Sequence, residues 1–206
     1  LIIMRFQTDR LVVGFHGCDE DVAEKVIGGK DILHPSRNKY DWLGWGIYFW
    51  ENDPERALDF AEELRKRSEG KIKKPSVVGA IINLGHCLDL TTMEGVKRIK
   101  TTYSQIKNQI KDPVFLPANR PGNGGGINGD IFLRDLDCYV IESLHRMNEE
   151  LKQPVYDSVR AGFWEGTPLY PNAGFREKNH IQLCVRSEKN IIAYFRPIPE
   201  ETEIKQ

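Results

Sequence analysis

Three separated stretches of the chain carry residue types that do chemistry. The first, Gly14-Phe15-His16-Gly17-Cys18, sets a histidine at the end of an apolar strand with a glycine behind it. Alone, such a histidine reads as a strand-end side chain satisfied by a carbonyl. In a site, its imidazole would donate to a sugar hydroxyl, and Gly17 would let backbone N–H and C=O approach a flat amide. The second stretch is Leu43-Gly44-Trp45-Gly46-Ile47-Tyr48-Phe49-Trp50, followed by Ala57-Leu58-Asp59-Phe60-Ala61. Most of these side chains read as core. Two glycines ahead of an aromatic strand nevertheless point to close backbone approach, and Tyr48 with Phe60 is a pair suited to sandwiching a planar ring. The third is Asn179-His180-Ile181-Gln182-Leu183-Cys184-Val185, where alternation places His180, Gln182 and Cys184 on one face. That face is either wet or lines a cleft.

Other signals weigh less. Pro121-Gly122-Asn123-Gly124-Gly125-Gly126-Ile127-Asn128-Gly129 lacks the Gly-Lys-Ser/Thr ending of a phosphate loop and reads as a flexible connection. His86-Cys87 and His16/Cys18 are too isolated for a metal site, so no metal is expected. Lys97, Arg98, Lys100, Lys107 and Lys111 form a basic helical face with no acid between Val96 and Lys111. Such a face is usually just solvated, and its sharper reading is contact with phosphates or an acidic partner.

The elements that position these stretches follow from pattern. Residues 11–15 read as a buried strand, and an acidic helix starts at Asp19 or Glu20 and stops at Gly28-Gly29. Gly46–Trp50 reads as a strand. Asn52 caps a helix with Pro54 in its first turn, and Ala57, Phe60, Ala61 and Leu64 share a face. Val77–Ile82 is β-branched and strand-like. Thr91 and Glu94 make a capping box ahead of a stripe at Val96, Ile99, Tyr103, Ile106 and Ile110. Residues 117–130 read as loop, and Leu133, Leu136, Val140, Leu144, Met147 and Leu151 as a further helical stripe. Val155–Val159, His180–Val185 and Ile191–Phe195 close the chain as strands. The lack of regular βαβ alternation favours α+β over a doubly wound fold.

Composition bounds the rest. At 206 residues the chain is expected to be a single domain spanning 1–206, with a helical and loop insertion around 91–152. Lys and Arg number 29 against 30 Asp and Glu, which gives no reason for wholesale binding to nucleic acid or anionic membrane. Apolar residues at 40 % and charged residues at 29 % exclude a collagen, a coiled coil or a disordered tail. Cys18, Cys87, Cys138 and Cys184 show no CxxC spacing and suit reduced thiols in a cytoplasm. No apolar run approaches the ~20 residues that span a bilayer, so no membrane partner is expected.

Taken in order, the His16-Gly17 pair, the Gly44–Phe49 motif with its downstream Ala57–Phe60, and the late strand opening on a polar residue resemble the ADP-ribosyltransferase superfamily. The resemblance is to the H-Y-[E/D/Q] branch that includes the poly(ADP-ribose) polymerases and diphtheria-type toxins. It implies a split pair of antiparallel sheets with flanking helices and NAD+ in the cleft between them. By position, it implies that His16 holds a ribose hydroxyl, that Gly17 reads the carboxamide and that Tyr48 and Phe60 enclose the nicotinamide. Gly46 and Cys18 border the ring, and Arg37 in the preceding loop meets the pyrophosphate. Gln182 falls near the catalytic glutamate of the branch, and a second register puts His180 there. Glu165 or Glu177 would then supply the carboxylate that a glutamine cannot. The implied activity is mono-ADP-ribosyl transfer to a protein or nucleic acid, in an intracellular toxin or defence effector neutralised by an antitoxin. The alternatives are an NAD+ glycohydrolase and an inactive NAD+ or ADP-ribose binding module.

Overall fold

The computed structural model describes residues 10–67, 72–110, 115–121 and 130–198. Lys111 of the basic stripe and residues 122–129 of the glycine-rich stretch lie outside the described residues.

The described chain is mixed α and β. Seven strands form one sheet: β1 (Leu11–Asp19), β2 (Ile47–Glu51), β3 (Pro75–Asn83), β4 (Cys87–Asp89), β5 (Ser158–Phe163), β6 (His180–Val185) and β7 (Ile191–Phe195). Their spatial order is β4-β5-β6-β2-β1-β3-β7, and every pairing except β4/β5 is antiparallel. The helices are α1 (Glu20–Ile27), α2 (Pro54–Arg67), α3 (Met93–Gln109) and α4 (Asp135–Glu150). The β1/β2 junction is much the briefest inside the sheet. Only Gly14–Glu51 and Phe15–Trp50 pair there, whereas β1 and β3 stay in register over nine pairs. Beyond Phe15 the His16 ring takes over, its Nδ1–H donating to the Tyr48 carbonyl at 2.7 Å.

Alternation assigns each face. On one, Ala23 and Val26 of α1 cover Phe49, Val78, Ala80, Ile82 and Leu183. The other face is covered twice. Ala57 of α2 packs on Phe15 and Trp50, and Ile141 and Leu144 of α4 pack on Val159, Ala161 and Cys184. Gly17 faces α2, where a Cβ would stand 2.0 Å from the Ala57 carbonyl oxygen. Its missing side chain is what lets the helix backbone lie on the sheet.

Local chemistry moves several predicted boundaries. Asp53, not Asn52, caps α2: its Oδ1 accepts from Arg56 N at 2.8 Å, while Asn52 turns the chain at φ +53°. The α3 cap is Thr92, whose Oγ1 accepts from Gly95 N at 3.1 Å. Thr91 is diverted to the Asp89 carboxylate and to Arg160. The helix buries Gly95, Thr102 and Ile106 and leaves Val96, expected inside, 52 % exposed. α4 starts at Asp135 rather than Leu133 and is buried on more than one stripe, since both α3 and the sheet press on it. Expected at 155–159, β5 runs instead over Ser158–Phe163. Asp157 is consumed by a turn in which its carboxylate accepts from His86 N and its carbonyl from Arg186 N.

Candidate functional site

At the far end of β2 and β6, on the α2 side of the sheet, Trp50 stands directly across from Gln182. Around this indole gather Phe60 at 4.9 Å between ring centroids, His180 at 6.4 Å, and the Arg56 guanidinium at 5.5 Å. Phe163, paired with His180 across β5 and β6, closes the wall at 5.6 Å. Glu165, two residues past the end of β5, folds back into the group. Its carboxylate accepts from Arg56 Nη2 at 3.1 Å and lies 3.6 Å from His180 Nδ1. The loop is pinned there by the Lys178 N–H on the Glu165 carbonyl and by Asp130 on Gly166 N. Arg56 is also held by Asp59, and Lys178 by Asp59 and Glu63.

This cluster concentrates buried polar atoms without partners. Among the described residues five side-chain atoms are buried and unpaired, and four are here: Trp50 Nε1, Arg56 Nε, His180 Nε2 and Gln182 Oε1. Each orphan costs about 1–3 kcal/mol in a dry interior, so four around one ring demand an explanation. Their polarity is mixed. The Trp50 and Arg56 nitrogens donate, and Gln182 Oε1 accepts. His180 Nδ1–H is committed to the Lys178 carbonyl at 2.9 Å, so in the neutral ring Nε2 is a bare acceptor. Two of these atoms are thus donors and two acceptors, none with a protein partner.

Burial sets the protonation. It raises the Glu165 carboxyl above its ordinary value against the pull of Arg56, and it pushes His180 down to about 4. A carboxyl raised by burial beside a cation is a candidate acid–base group. His145, on α4, is pushed to about 3 by burial, with Arg186 adding to the effect. Both histidines therefore stay neutral when folded and charge more readily when unfolded. Stability they contribute above pH 6.5 is lost as pH falls from 6.5 toward 4 for His180 and 3 for His145, on the order of 3 and 5 kcal/mol. Glu165 and Asp41, with raised values, act with the opposite sign. The urea midpoint should accordingly drop as pH is lowered from 7.5 to 6, and replacing both histidines by Gln should lessen that drop, the remainder belonging to His16, whose pKa burial also lowers.

The structure thus brings Phe60, His180 and Gln182 together and sets other expected residues apart. His16 lies on the opposite face, its ring 5.8 Å from Phe49; burial lowers its pKa. Tyr48 shares the Trp50 face, but its hydroxyl is spent locally, donating to Gly44 O at 2.6 Å and accepting from Leu43 N at 2.8 Å. Gly17 is covered by α2, and Cys18 lies in the α1-side core with its thiol pushed up to about 12. Gly46 leaves room for Cys184 and Val185, and exposed Arg37 borders a separate cleft. Of the two loop carboxylates, Glu165 enters the cluster. Glu177 stays outside on the surface, bonded to Thr167 N. Sequence reasoning missed Trp50 and Arg56 as site residues. An arginine beside the apolar face of α2 was the one available signal.

Among the described residues no group of three or more His, Cys, Asp or Glu is placed to hold a metal ion. No helix among them is long and apolar enough to cross a membrane. No family model matches the chain, and no solved structure matches it. The chain is similar to an uncharacterized protein, MJ0359, of Methanocaldococcus jannaschii, at 28 % identity over 189 residues covering 84 % of this chain and 81 % of that protein.

Proposed function

We propose that the protein cleaves NAD+ and transfers ADP-ribose to a macromolecular acceptor, with the Trp50 cluster as its reaction centre. The observation that carries this reading is the set of four orphaned atoms beside Glu165. A ribose diol offers the donors and acceptors they lack. Gln182 Oε1 and His180 Nε2 would accept from its hydroxyls, while Trp50 Nε1–H and Arg56 Nε–H would donate to them.

The chemistry suits the groups. As the ribose C1–N bond breaks, its electron pair leaves with nicotinamide and positive charge develops on the ribose. The Glu165 carboxylate stands where it can stabilise that charge. The acceptor's hydroxyl or amine then bonds C1, and its proton passes to Glu165. Arg56 opposes the upward pull of burial on this carboxyl, and Trp50 and Phe60 would supply flat walls for the departing ring. In this reading Glu165 is the acid–base group, and Gln182 positions the sugar.

Incubation with isotopically labelled NAD+ and total cellular protein and RNA, followed by mass spectrometry, tests the reading. ADP-ribose adducts on either polymer are expected. Free ADP-ribose alone would reduce the protein to a glycohydrolase.

A further inference from the structure

A cleft of about 420 Å3 opens where the start of β2, the end of β6 and helix α4 meet. Gly46 on its wall is four residues along β2 from Trp50, roughly 13 Å away, so it is separate from the cluster above. Trp45 borders it with 41 % of its surface exposed. The Trp45 backbone is anchored: its main-chain N–H donates to Glu142 Oε1 at 2.7 Å and its carbonyl accepts from Arg186 Nη1 at 3.0 Å, while Arg186 and Glu142 pair with each other. An exposed large aromatic on an anchored main chain at the mouth of a cleft offers a face on which a planar group can stack.

The opposite wall is Tyr156, stacked on His86 at 4.4 Å and meeting the His145 ring edge-on at 5.9 Å. His145 is 3 % exposed and its Nε2 has no partner, the one buried orphan outside the Trp50 cluster among the described residues. Two cations stand at the mouth. Arg37 is exposed with no carboxylate in ion-pair range among the described residues, and Lys189, 78 % exposed, reaches Asp157 only at 3.8 Å. Glu149 and Asp157 add acceptors to the lining.

We propose that this cleft binds a nucleotide unit, with its base on Trp45, a base edge bonded to His145 Nε2, and its phosphate on Arg37 and Lys189. The lining rejects simpler ligands. An apolar molecule would leave the imidazole unpaired, inorganic phosphate would leave the indole bare, and an acidic peptide would meet Glu149 and Asp157. Those same carboxylates favour bases that carry an exocyclic amino group, whose N–H they accept. The source is either a free nucleotide or an unpaired residue of a strand. α3 abuts α4 beside the cleft through Arg98 and Asn148 and carries exposed Lys97, Lys100 and Lys107, which a strand's further phosphates would meet. The proposal does not rest on NAD+ cleavage.

The test uses the full chain at fixed salt. Binding of a fluorescein-labelled oligo-adenylate 12-mer is read by anisotropy, and binding of AMP by calorimetry. Binding is expected in at least one arm, weakened at least about 10-fold by Trp45→Ala and by Arg37→Glu. Response to the 12-mer alone identifies a strand, and response to AMP as well identifies the free nucleotide; both bear the site out. The proposal falls if neither probe binds or if both variants, shown folded by circular dichroism, bind as the parent does. It falls too if a poly-glutamate peptide binds with the same dependence on Trp45.

Discussion

Glu165→Gln is expected to slow nicotinamide release from NAD+ by about 10²–10⁴-fold, the range that positioned acid–base groups supply, while the protein stays folded. The substitution keeps the shape of the side chain and an oxygen to accept from Arg56 Nη2, now 3.1 Å from the carboxylate, and Asp59 continues to neutralise that guanidinium. What disappears is the negative charge that the proposed reaction sets against the developing ribose cation, and with it the only carboxyl of the cluster whose pKa burial raises. Glu177→Gln is the matched control. That carboxylate is on the surface, held low by its bonds to Thr167, and its removal should leave the rate unchanged. Equal losses in both variants would move the chemistry elsewhere.

The second large effect is on stability. Arg160 of β5 reaches over β6 to β2, where its Nε and Nη2 donate to the two Glu51 oxygens at 2.6 and 3.1 Å. Its Nη1 turns the other way, to Thr91 at 2.9 Å and Asp89 at 3.3 Å. All three charged side chains are close to 90 % buried. Arg160→Met removes the cation and strands Glu51 in that interior, which should cost about 3–5 kcal/mol in chemical denaturation. Asp89 is less affected because Arg10 also holds it at 2.9 Å. Since the charge left behind causes the loss, Glu51→Leu added to Arg160→Met should recover at least half of it. A double variant no more stable than the single one would assign the loss to packing instead.

How much of this was legible in the sequence depended on whether the signal was local. β6 and β7 were read at their true bounds, because turn residues flank short β-branched runs there. The bounds of α1 were also legible, with Asp19 as cap and Gly28 at the end. Where two adjacent residues offered the same chemistry, as with Asn52 and Asp53 or Thr91 and Thr92, pattern could not choose. The neighbouring strand decided instead: Asp89 and Arg160 drew Thr91 away from the helix. The order of motifs located His180 and Gln182, but alternation along a strand says nothing about which face a separate strand presents. His16 was therefore grouped with Tyr48 although the β1/β3 register turns its ring to the Phe49 side. Glu165 sits in a loop whose pattern resembles that of any solvated acid. Its burial is created by Arg56, Lys178 and Asp130, 109, 13 and 35 residues away in the chain. No local window contains that information.

The central claim is that the Trp50 cluster breaks the bond between ribose and nicotinamide. It is tested most directly by chromatographic measurement of nicotinamide released from NAD+ by the purified full chain, with and without cell extract as a source of acceptor. The account predicts many equivalents of nicotinamide per protein when acceptor is present and almost none from Glu165→Gln. No release by the folded parent protein under either condition, or the same release from the variant, would contradict it.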